Sequence, residues 1–182
     1  MDKRIERTNT KLRYGFFTLL KNNNLKKITV LDLCKESKIN RTTFYKYYLD
    51  VDDYVKKLED NLLEELKSEV IDINRNYLIT YISKILEKIK STKDIYPILL
   101  GKNGDKFFLR KILYIVYNES ISEWTRLLKK ANKEDLDNIY KFIVDGSIGI
   151  IETWIDYGCK GDSNNIALFI NKLCMSGLSS FI

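Results

Sequence analysis

The most informative segment of this 182-residue chain is Thr29–Tyr54, TVLDLCKESKINRTTFYKYYLDVDDY. Thr29 is placed to cap a short helix over residues 30–37, and Asn40 is placed to cap a second one over 41–48. Only two residues separate the end of the first helix from the cap of the second, so a tight turn must join them. Two short helices joined in this way predict a helix-turn-helix motif.

The second of these helices is predicted to have one buried face and one face suited to a nucleic acid. Ile39 and Phe44 stand where a hydrophobic staple would hold the start of the helix, and Tyr48 falls on the same inward side as Phe44. No acidic residue lies between Asn40 and Leu49, and the remaining side chains are hydroxyls, cations and phenols, which bond to base edges and phosphates. The predicted DNA-contacting residues, with the two helix caps, are Thr29, Asn40, Arg41, Thr42, Thr43, Tyr45, Lys46 and Tyr47.

Apolar residues at helical spacing continue on both sides of this motif. Ile5, Leu12, Phe16 and Leu20 predict a first helix that ends at the asparagines 22–24, which completes a three-helix head over residues 1–50. The chain has only eight Gly and one Pro, too few turn signals for a β-sandwich or a doubly wound sheet. The prediction is an all-α fold of about nine helices, with a helical body over residues 51–182. The body helices are predicted at 51–73, 77–89, 95–100, 107–128, 134–157 and, capped by Ser163, 164–178.

Charge is concentrated at the head. Residues 1–49 hold 12 Lys or Arg against 4 Asp or Glu, whereas residues 50–182 hold 19 against 21. The whole excess of positive charge therefore lies in the first quarter of the chain. A basic head on a near-neutral body indicates a polyanionic partner for the head alone, although an evenly solvated basic surface is the competing interpretation.

The composition also excludes several classes of protein. The chain has no His, so it has no Ser-His-Asp or Cys-His catalytic arrangement and no His-liganded metal, and the inventory argues against an enzyme, a cofactor or a metal site. Three widely spaced cysteines cannot form a four-thiolate zinc site and indicate reduced thiols. The charged amino terminus and the lack of a long apolar run predict a cytoplasmic protein without a membrane span. The GKNGDK segment at 101–106 lacks the ending of a phosphate loop and is expected to be a turn.

The segment Thr29–Tyr54 resembles the DNA-binding head of the TetR/AcrR family of bacterial transcription regulators. Within it, INRTTFYKYY at 39–48 is similar to the recognition-helix signature of that family. Two positions depart from the pattern. Lys38 occupies the turn position that is usually Gly, and Val51 replaces the usual Lys at the start of the fourth helix, which removes the cation that would contact a phosphate there.

The body resembles a branch of the family related to activators of dihydroxyacetone kinase genes, through the segments Tyr96–Lys111 and Asp145–Gly158. The resemblance implies a homodimer, formed by the last two helices of each chain as a four-helix bundle, that binds two half-sites about 34 to 36 Å apart on a near-palindromic operator. Gly146, Ser147 and Gly149 either allow close helix approach at that dimer seam or relieve crowding inside the body.

The function predicted from these observations is a DNA-binding transcription regulator, a repressor in the first instance, whose body senses a small molecule or a protein partner. Tyr81, Tyr114, Tyr117 and Trp124 are candidates for the wall of an effector pocket, and core packing is the competing interpretation for each of them. The alternative function is a co-regulator of the same fold that binds a protein or a metabolite without contacting DNA directly. Lys38 and Val51 support that alternative.

Overall fold

The computed structural model describes residues 3–71 and 78–182, with side chains for 4–68, 79–115 and 125–182. Within these ranges the chain forms nine α-helices, two short 3-10 turns at Leu25–Lys27 and Ser179–Phe181, and no strand. The helices are α1 (Lys3–Asn22), α2 (Val30–Ser37), α3 (Arg41–Tyr45), α4 (Val51–Ile71), α5 (Leu78–Ser91), α6 (Tyr96–Leu100), α7 (Phe108–Leu127), α8 (Lys133–Asp156) and α9 (Ser163–Leu178). The predicted all-α class is confirmed.

Two predicted helix ends are wrong. Helix α3 ends at Tyr45 instead of Tyr48, because the Tyr47 amide bonds to the Phe44 carbonyl only three residues back (3.0 Å), which tightens the chain into a turn. The cap of α9 is Asp162, whose carboxylate accepts a hydrogen bond from the Asn164 amide at 3.0 Å, and Ser163 is the first helical residue. The predicted helix ends at 73 and 77 lie outside the described residues.

The head is built by α1 packed across α2 and α3. Leu12, Phe16 and Leu20 of α1 are fully buried, as is Phe44 of α3. Gly15 lets α1 and α2 approach closely, since a Cβ atom at that position would lie 2.9 Å from the backbone nitrogen of Ser37. The head therefore has a small hydrophobic core of its own, and its helices are fixed relative to one another by that core.

Helix α4 begins in the head core and continues into the body. Its first turns bury Val51 and Tyr54, and its later turns bury Leu62 and Leu66 among residues of the body. The hydroxyl of Tyr96, at the start of α6, donates a 3.0 Å hydrogen bond to the Leu62 carbonyl. Any change in the position of α4 is therefore shared by the head and the body.

The turn between α6 and α7, residues 101–107, makes a second connection between head and body. The Leu25 amide donates to the Asn103 carbonyl at 2.8 Å, and the Asn103 side-chain amide donates to the Leu20 and Lys21 carbonyls at 3.3 Å each. These bonds satisfy carbonyl groups at the carboxyl end of α1 that have no partner within the helix. The predicted turn at 101–106 is confirmed, and it holds the end of α1.

Helices α7, α8 and α9 complete the body. Ile151 and Trp154 of α8 and Ala167 and Ile170 of α9 are buried, and the Arg110 guanidinium of α7 forms a 2.6 Å ion pair with a carboxylate of α8. None of the helices in the described ranges is long and apolar enough to cross a membrane.

A buried carboxylate lies between α4 and α7. Glu59 is 2% exposed; its Oε2 accepts a 2.6 Å hydrogen bond from the Lys111 ammonium, whereas Oε1 has no hydrogen-bond partner among the described residues. Burial raises the pKa of Glu59 to about 7, against the lowering effect of Lys111, and the neighbouring Asp105 raises it further. The charged form of Glu59 is thus disfavoured by the fold.

We expect this carboxylate to make stability depend on pH. Because the folded pKa of Glu59 is raised from 4.5 to about 7, the folded state binds the extra proton between those values, so the contribution of Glu59 to stability is complete below pH 4.5 and is lost as the pH rises towards 7. The chain has no His to obscure the effect. Urea unfolding at a fixed protein concentration should show a loss of about 2 to 3 kcal/mol between pH 5 and pH 8.

The Glu59→Gln variant should remove most of this slope, because it replaces the group that titrates. Glu65→Gln is the matched control: Glu65 is on the same helix but is exposed, in a 3.6 Å ion pair with Arg13, and the slope should survive its replacement. A slope equally steep in wild type and Glu59→Gln would contradict the assignment.

Candidate nucleic-acid interface

The short helix α3 is anchored by aromatic packing on its inner side. The Phe44 ring lies 5.5 Å from the Tyr48 ring and 6.5 Å from the Tyr54 ring, and the Tyr48 and Tyr54 rings meet edge to face at 5.0 Å. The Tyr48 hydroxyl also donates to the Asn9 side chain of α1 at 3.0 Å, and burial raises the pKa of Tyr48. The predicted inward orientation of Phe44 and Tyr48 is confirmed.

Hydrogen bonds at the turn before α3 fix the entry angle of this helix. The Lys38 amide bonds to the Lys35 carbonyl (3.3 Å) and the Ile39 amide to the Cys34 carbonyl (3.0 Å), the Schellman pattern that ends a helix. Lys38 itself is left-handed, with φ 53° and ψ 43°. The Asn40 side chain then accepts a hydrogen bond from the Thr43 amide at 2.7 Å and caps α3, as predicted.

The outer side of α3 is basic and aromatic. Arg41, Thr42, Tyr45 and Lys46 are exposed, and Thr43 and Tyr47 are partly exposed. The Arg41 guanidinium lies 5.8 Å from the Tyr45 ring centre, and the Lys46 ammonium lies 5.6 Å from that of Tyr47. Among the described residues neither cation has an acidic partner within ion-pair distance. Both cations are thus held over phenol rings with their charges uncompensated.

Thr29 is placed differently from the other predicted contacts. Its hydroxyl caps α2 by accepting from the Asp32 amide (3.2 Å) and donates to the Asp32 carboxylate at 2.6 Å. These bonds lower the pKa of Asp32. Because the hydroxyl proton of Thr29 is directed to Asp32, Thr29 would have to break that bond to donate to a phosphate.

Helix α4 closes the carboxyl end of α3. The Lys57 ammonium donates to the Tyr47 carbonyl at 3.1 Å and to Asp53 at 2.9 Å, and it lies 5.3 Å from the Tyr48 ring. Asp53 also accepts from the Leu49 amide at 3.0 Å, and the hydrogen bonds from Lys57 and Leu49 lower the pKa of Asp53. We call these bonds between Lys57, Asp53, Tyr47 and Leu49 the α4 clamp.

The first turn of α4 is acidic and does not offer a cation. Val51 is buried, so this position supplies no phosphate contact. Asp50 caps the helix by accepting from the Asp53 amide at 2.8 Å, and Asp52 is exposed beside it. The two ends of α3 therefore differ in charge: the amino end is basic and the carboxyl end lies next to carboxylates.

Comparison with known proteins identifies the family. A TetR-type family model described as "Transcriptional regulator C-terminal region" matches residues 76–176, more than half of the chain. The chain belongs to the TetR family of transcriptional regulators. No curated protein sequence matches it significantly.

Two solved structures share the fold of this TetR-family regulator. One is the fatty acid degradation regulator FadR from Bacillus halodurans, with a TM-score of 0.64, 13% identity, and coverage of 94% of this chain and 96% of the other. The second is the dihydroxyacetone kinase operon activator DhaS, with a TM-score of 0.61, 20% identity, and coverage of 96% and 97%. At these identities the likeness establishes the all-helical fold.

Of the four aromatic residues predicted to line an effector pocket, the structure describes the side chains of two. Tyr81 is half-buried against the core, and Tyr114 is 44% exposed with its ring 5.7 Å from Tyr140; the side chains of Tyr117 and Trp124 lie outside the described residues. A cleft of about 450 Å³ lies elsewhere, between the end of α1, α6 with the following turn, and the end of α8. Its lining consists of Leu20, Lys21, Pro97, Ile98, Gly101, Lys102, Asn103, Ile155 and Asp156.

The α4 clamp is the part of this interface that the sequence analysis missed. The spacing of Asp53 and Lys57, four residues apart on α4, indicates an ion pair within the helix. The bond to the Tyr47 carbonyl joins two elements, and nothing in the local pattern predicts it. The link between Tyr48 and Asn9 was missed for the same reason.

We expect the clamp to hold residues 47–49 in place. In Lys57→Met the carbonyl of Tyr47 loses its donor and Asp53 loses its counter-ion, so hydrogen exchange of the Tyr47 and Leu49 amides should become about two- to fivefold faster, since an exposed pair contributes at most about 1 kcal/mol. Lys67→Met is the control, because Lys67 forms a comparable 2.7 Å pair with Glu64 on the same helix. Equal exchange in the two variants would show that there is no clamp.

Proposed function

We propose that this protein is a homodimeric DNA-binding repressor. Residues 1–50 form the DNA-binding head and 51–182 the regulatory and dimerisation body. Two copies of α3 enter successive major-groove faces of a near-palindromic operator, with half-site centres about 34 to 36 Å apart. The body senses a small molecule or a protein partner and alters the position of the heads.

The outer face of α3 carries this proposal. It presents Arg41 and Lys46 beside phenol rings, with no acidic partner among the described residues and with hydroxyls between them. A solvated helix face would normally mix both signs of charge, whereas a groove-reading face needs cations and short donors. The Asn40 side chain uses only its oxygen for capping, so its amide group remains able to donate to a base edge.

An apolar face on α8 and α9 supports the dimer. On α8, Phe142 is 76% exposed, and it lies on the same helix side as Gly146, Gly149 and Tyr157. On α9 the exposed apolar side chains are Leu168, Phe169, Leu173 and Met175. A monomer rarely exposes so many large apolar groups on adjacent helices, and a second copy of the chain would cover them.

The surroundings of Gly146 and Gly149 favour a role at the dimer seam over relief of crowding inside the body. A Cβ atom at Gly146 or Gly149 would meet no atom of the described residues within 4 Å, so neither glycine relieves crowding within one protomer. Ser147, in contrast, is buried within the protomer. In a four-helix bundle the glycines would let the partner's helices approach closely.

The co-regulator alternative rests on the start of α4. Its buried Val51 and exposed Asp50 and Asp52 weaken the attraction of this end of the head for phosphate. The salt dependence of duplex affinity separates the two functions. For a DNA-binding dimer, the logarithm of the affinity should fall by about 0.9 per log unit of salt concentration for each phosphate neutralised. A co-regulator would show no measurable duplex binding at low salt.

Replacement of the outer cations should weaken DNA binding without changing the dimer. With a duplex selected by the wild-type protein from random sequences, Arg41→Ala and Lys46→Ala should each reduce affinity by about tenfold or more in fluorescence anisotropy, since each base or phosphate contact contributes about 1 to 3 kcal/mol. Lys84→Ala, on the exposed side of α5, is the matched control and should bind like wild type. Unchanged affinity in both α3 variants would count decisively against the proposed interface.

Disruption of the apolar face should produce monomers. Phe169→Glu places a charge at the centre of the proposed seam, and the dimer dissociation constant should rise by about 30-fold or more, the size of an interface hot spot. Phe107→Glu serves as the control, because Phe107 is 70% exposed but precedes α7, outside α8 and α9. Sedimentation that showed the same mass for both variants would exclude this face as the interface.

A further inference from the structure

The turn between α2 and α3 places Lys38 in a left-handed conformation that glycine would adopt with less strain. Lys38 is left-handed, a conformation in which its Cβ crowds the following carbonyl and which helix-ending turns normally assign to Gly. The Schellman bonds of the Lys38 and Ile39 amides use the backbone alone, so they would form equally well with Gly at this position. The side chain therefore does not explain the turn.

Among the residues that the structure describes, the Lys38 side chain forms no hydrogen bond or ion pair that would favour lysine over glycine at this position. It is exposed, and among the described residues it has no ion-pair partner. Its ammonium can interact favourably with the carboxyl end of α2, but a cation in the preceding turn, Lys35, already supplies that interaction. Backbone strain that no contact within the protein compensates indicates that the residue has a functional role.

The position of Lys38 indicates which function. It lies two residues before the Asn40 cap of α3 and three residues before Arg41, at the amino end of that helix. In a helix-turn-helix complex the amino end of the recognition helix enters the groove, and the residues just before it meet the phosphates at the groove edge. The start of α4 carries Asp50 and a buried Val51, so phosphate contacts must come from other positions.

We propose that Lys38 is a phosphate-binding residue of the DNA interface, which supplies at the turn the contact that Val51 does not supply at the start of α4. This rests on the proposed function. The partner group is a backbone phosphate of duplex DNA, so Lys38 adds affinity without adding sequence preference. The left-handed backbone at Lys38 lowers the stability of the protein, whereas the phosphate contact raises its affinity for DNA. The two effects can therefore be measured separately.

The test is Lys38→Gly, with thermal unfolding and duplex binding measured on the full-length protein. Relief of strain should raise Tm by about 2 to 4 °C. Loss of one phosphate contact per protomer should lower affinity several-fold for every sequence, and it should reduce the salt slope by about 1.8, because a dimer presents two copies of Lys38. Lys38→Arg keeps the charge and should retain the wild-type salt slope. Asn tolerates the left-handed conformation but carries no charge, so Lys38→Asn should show the same reduction of the salt slope as Lys38→Gly. Lys84→Gln is the control for removal of a remote charge.

The possible outcomes distinguish this inference from the proposed function. A higher Tm with a reduced slope supports the inference, and a higher Tm with an unchanged slope overturns it while leaving DNA binding intact. A Tm that does not rise in Lys38→Gly removes the strain argument and also overturns it. Wild-type protein that binds no duplex at low salt would overturn the proposed function, and the role of Lys38 with it.

Discussion

The anchoring of Phe44 in the head core is the interaction on which the arrangement of the head depends. Helix α3 has five residues, far fewer than an isolated helix needs to be stable in water, so its position must be imposed from outside. Phe44 is fully buried among the rings of Tyr48 and Tyr54, and burial of such a side chain contributes roughly 1.5 to 3 kcal/mol. The Asn40 cap and the α4 clamp then hold the two ends of α3. Because the buried Phe44 fixes the rotation of this helix, its exposed residues keep a single orientation.

The head is connected to the body through the end of α1 and through α4, and the turn at 101–107 lies beside both connections. Asn103 holds the end of α1, and Asp105, two residues later, lies 3.8 Å from the Lys111 ammonium that pairs with Glu59 of α4. The turn 101–107 thus touches both helices through which the head is connected. In this pair only Glu59 is buried and Lys111 is half exposed, so desolvation of the carboxylate offsets much of the attraction, but the bond restricts the relative position of α4 and α7. The cleft beside this turn lies where an occupant would contact head and body together.

Much of the fold could be predicted from the sequence because its signals are local. Thr29, Asn40 and the spacing of apolar residues located α2, the start of α3 and the order of the body helices, since caps and periodicity act within one element. The early end of α3, where the Tyr47 amide bonds to the Phe44 carbonyl, could not be predicted, and the side-chain bonds beside it join different elements: Tyr48 bonds to Asn9 of α1, and Lys57 of α4 bonds to the Tyr47 carbonyl. The candidate site was predicted in its residue types, whereas the engagement of Thr29 with Asp32 depended on a hydroxyl direction that the sequence does not contain.

The uneven charge along α3 bears on how such a head would meet DNA. Arg41 and the free amide group of Asn40 lie at the amino end of α3, Lys46 lies at its carboxyl end, and the carboxylates of Asp50 and Asp52 follow a few residues later. In the proposed complex a phosphate backbone would attract these cations and repel the carboxylates, so Asp50 and Asp52 would favour an approach with the amino end of α3 toward the groove. Part of this acidity cannot be removed without cost to the fold, since Asp50 caps α4 and Asp53 belongs to the α4 clamp. In the proposed complex these carboxylates would both stabilise the fold around α3 and restrict its docking angle, which would couple the stability of the head to the geometry of binding.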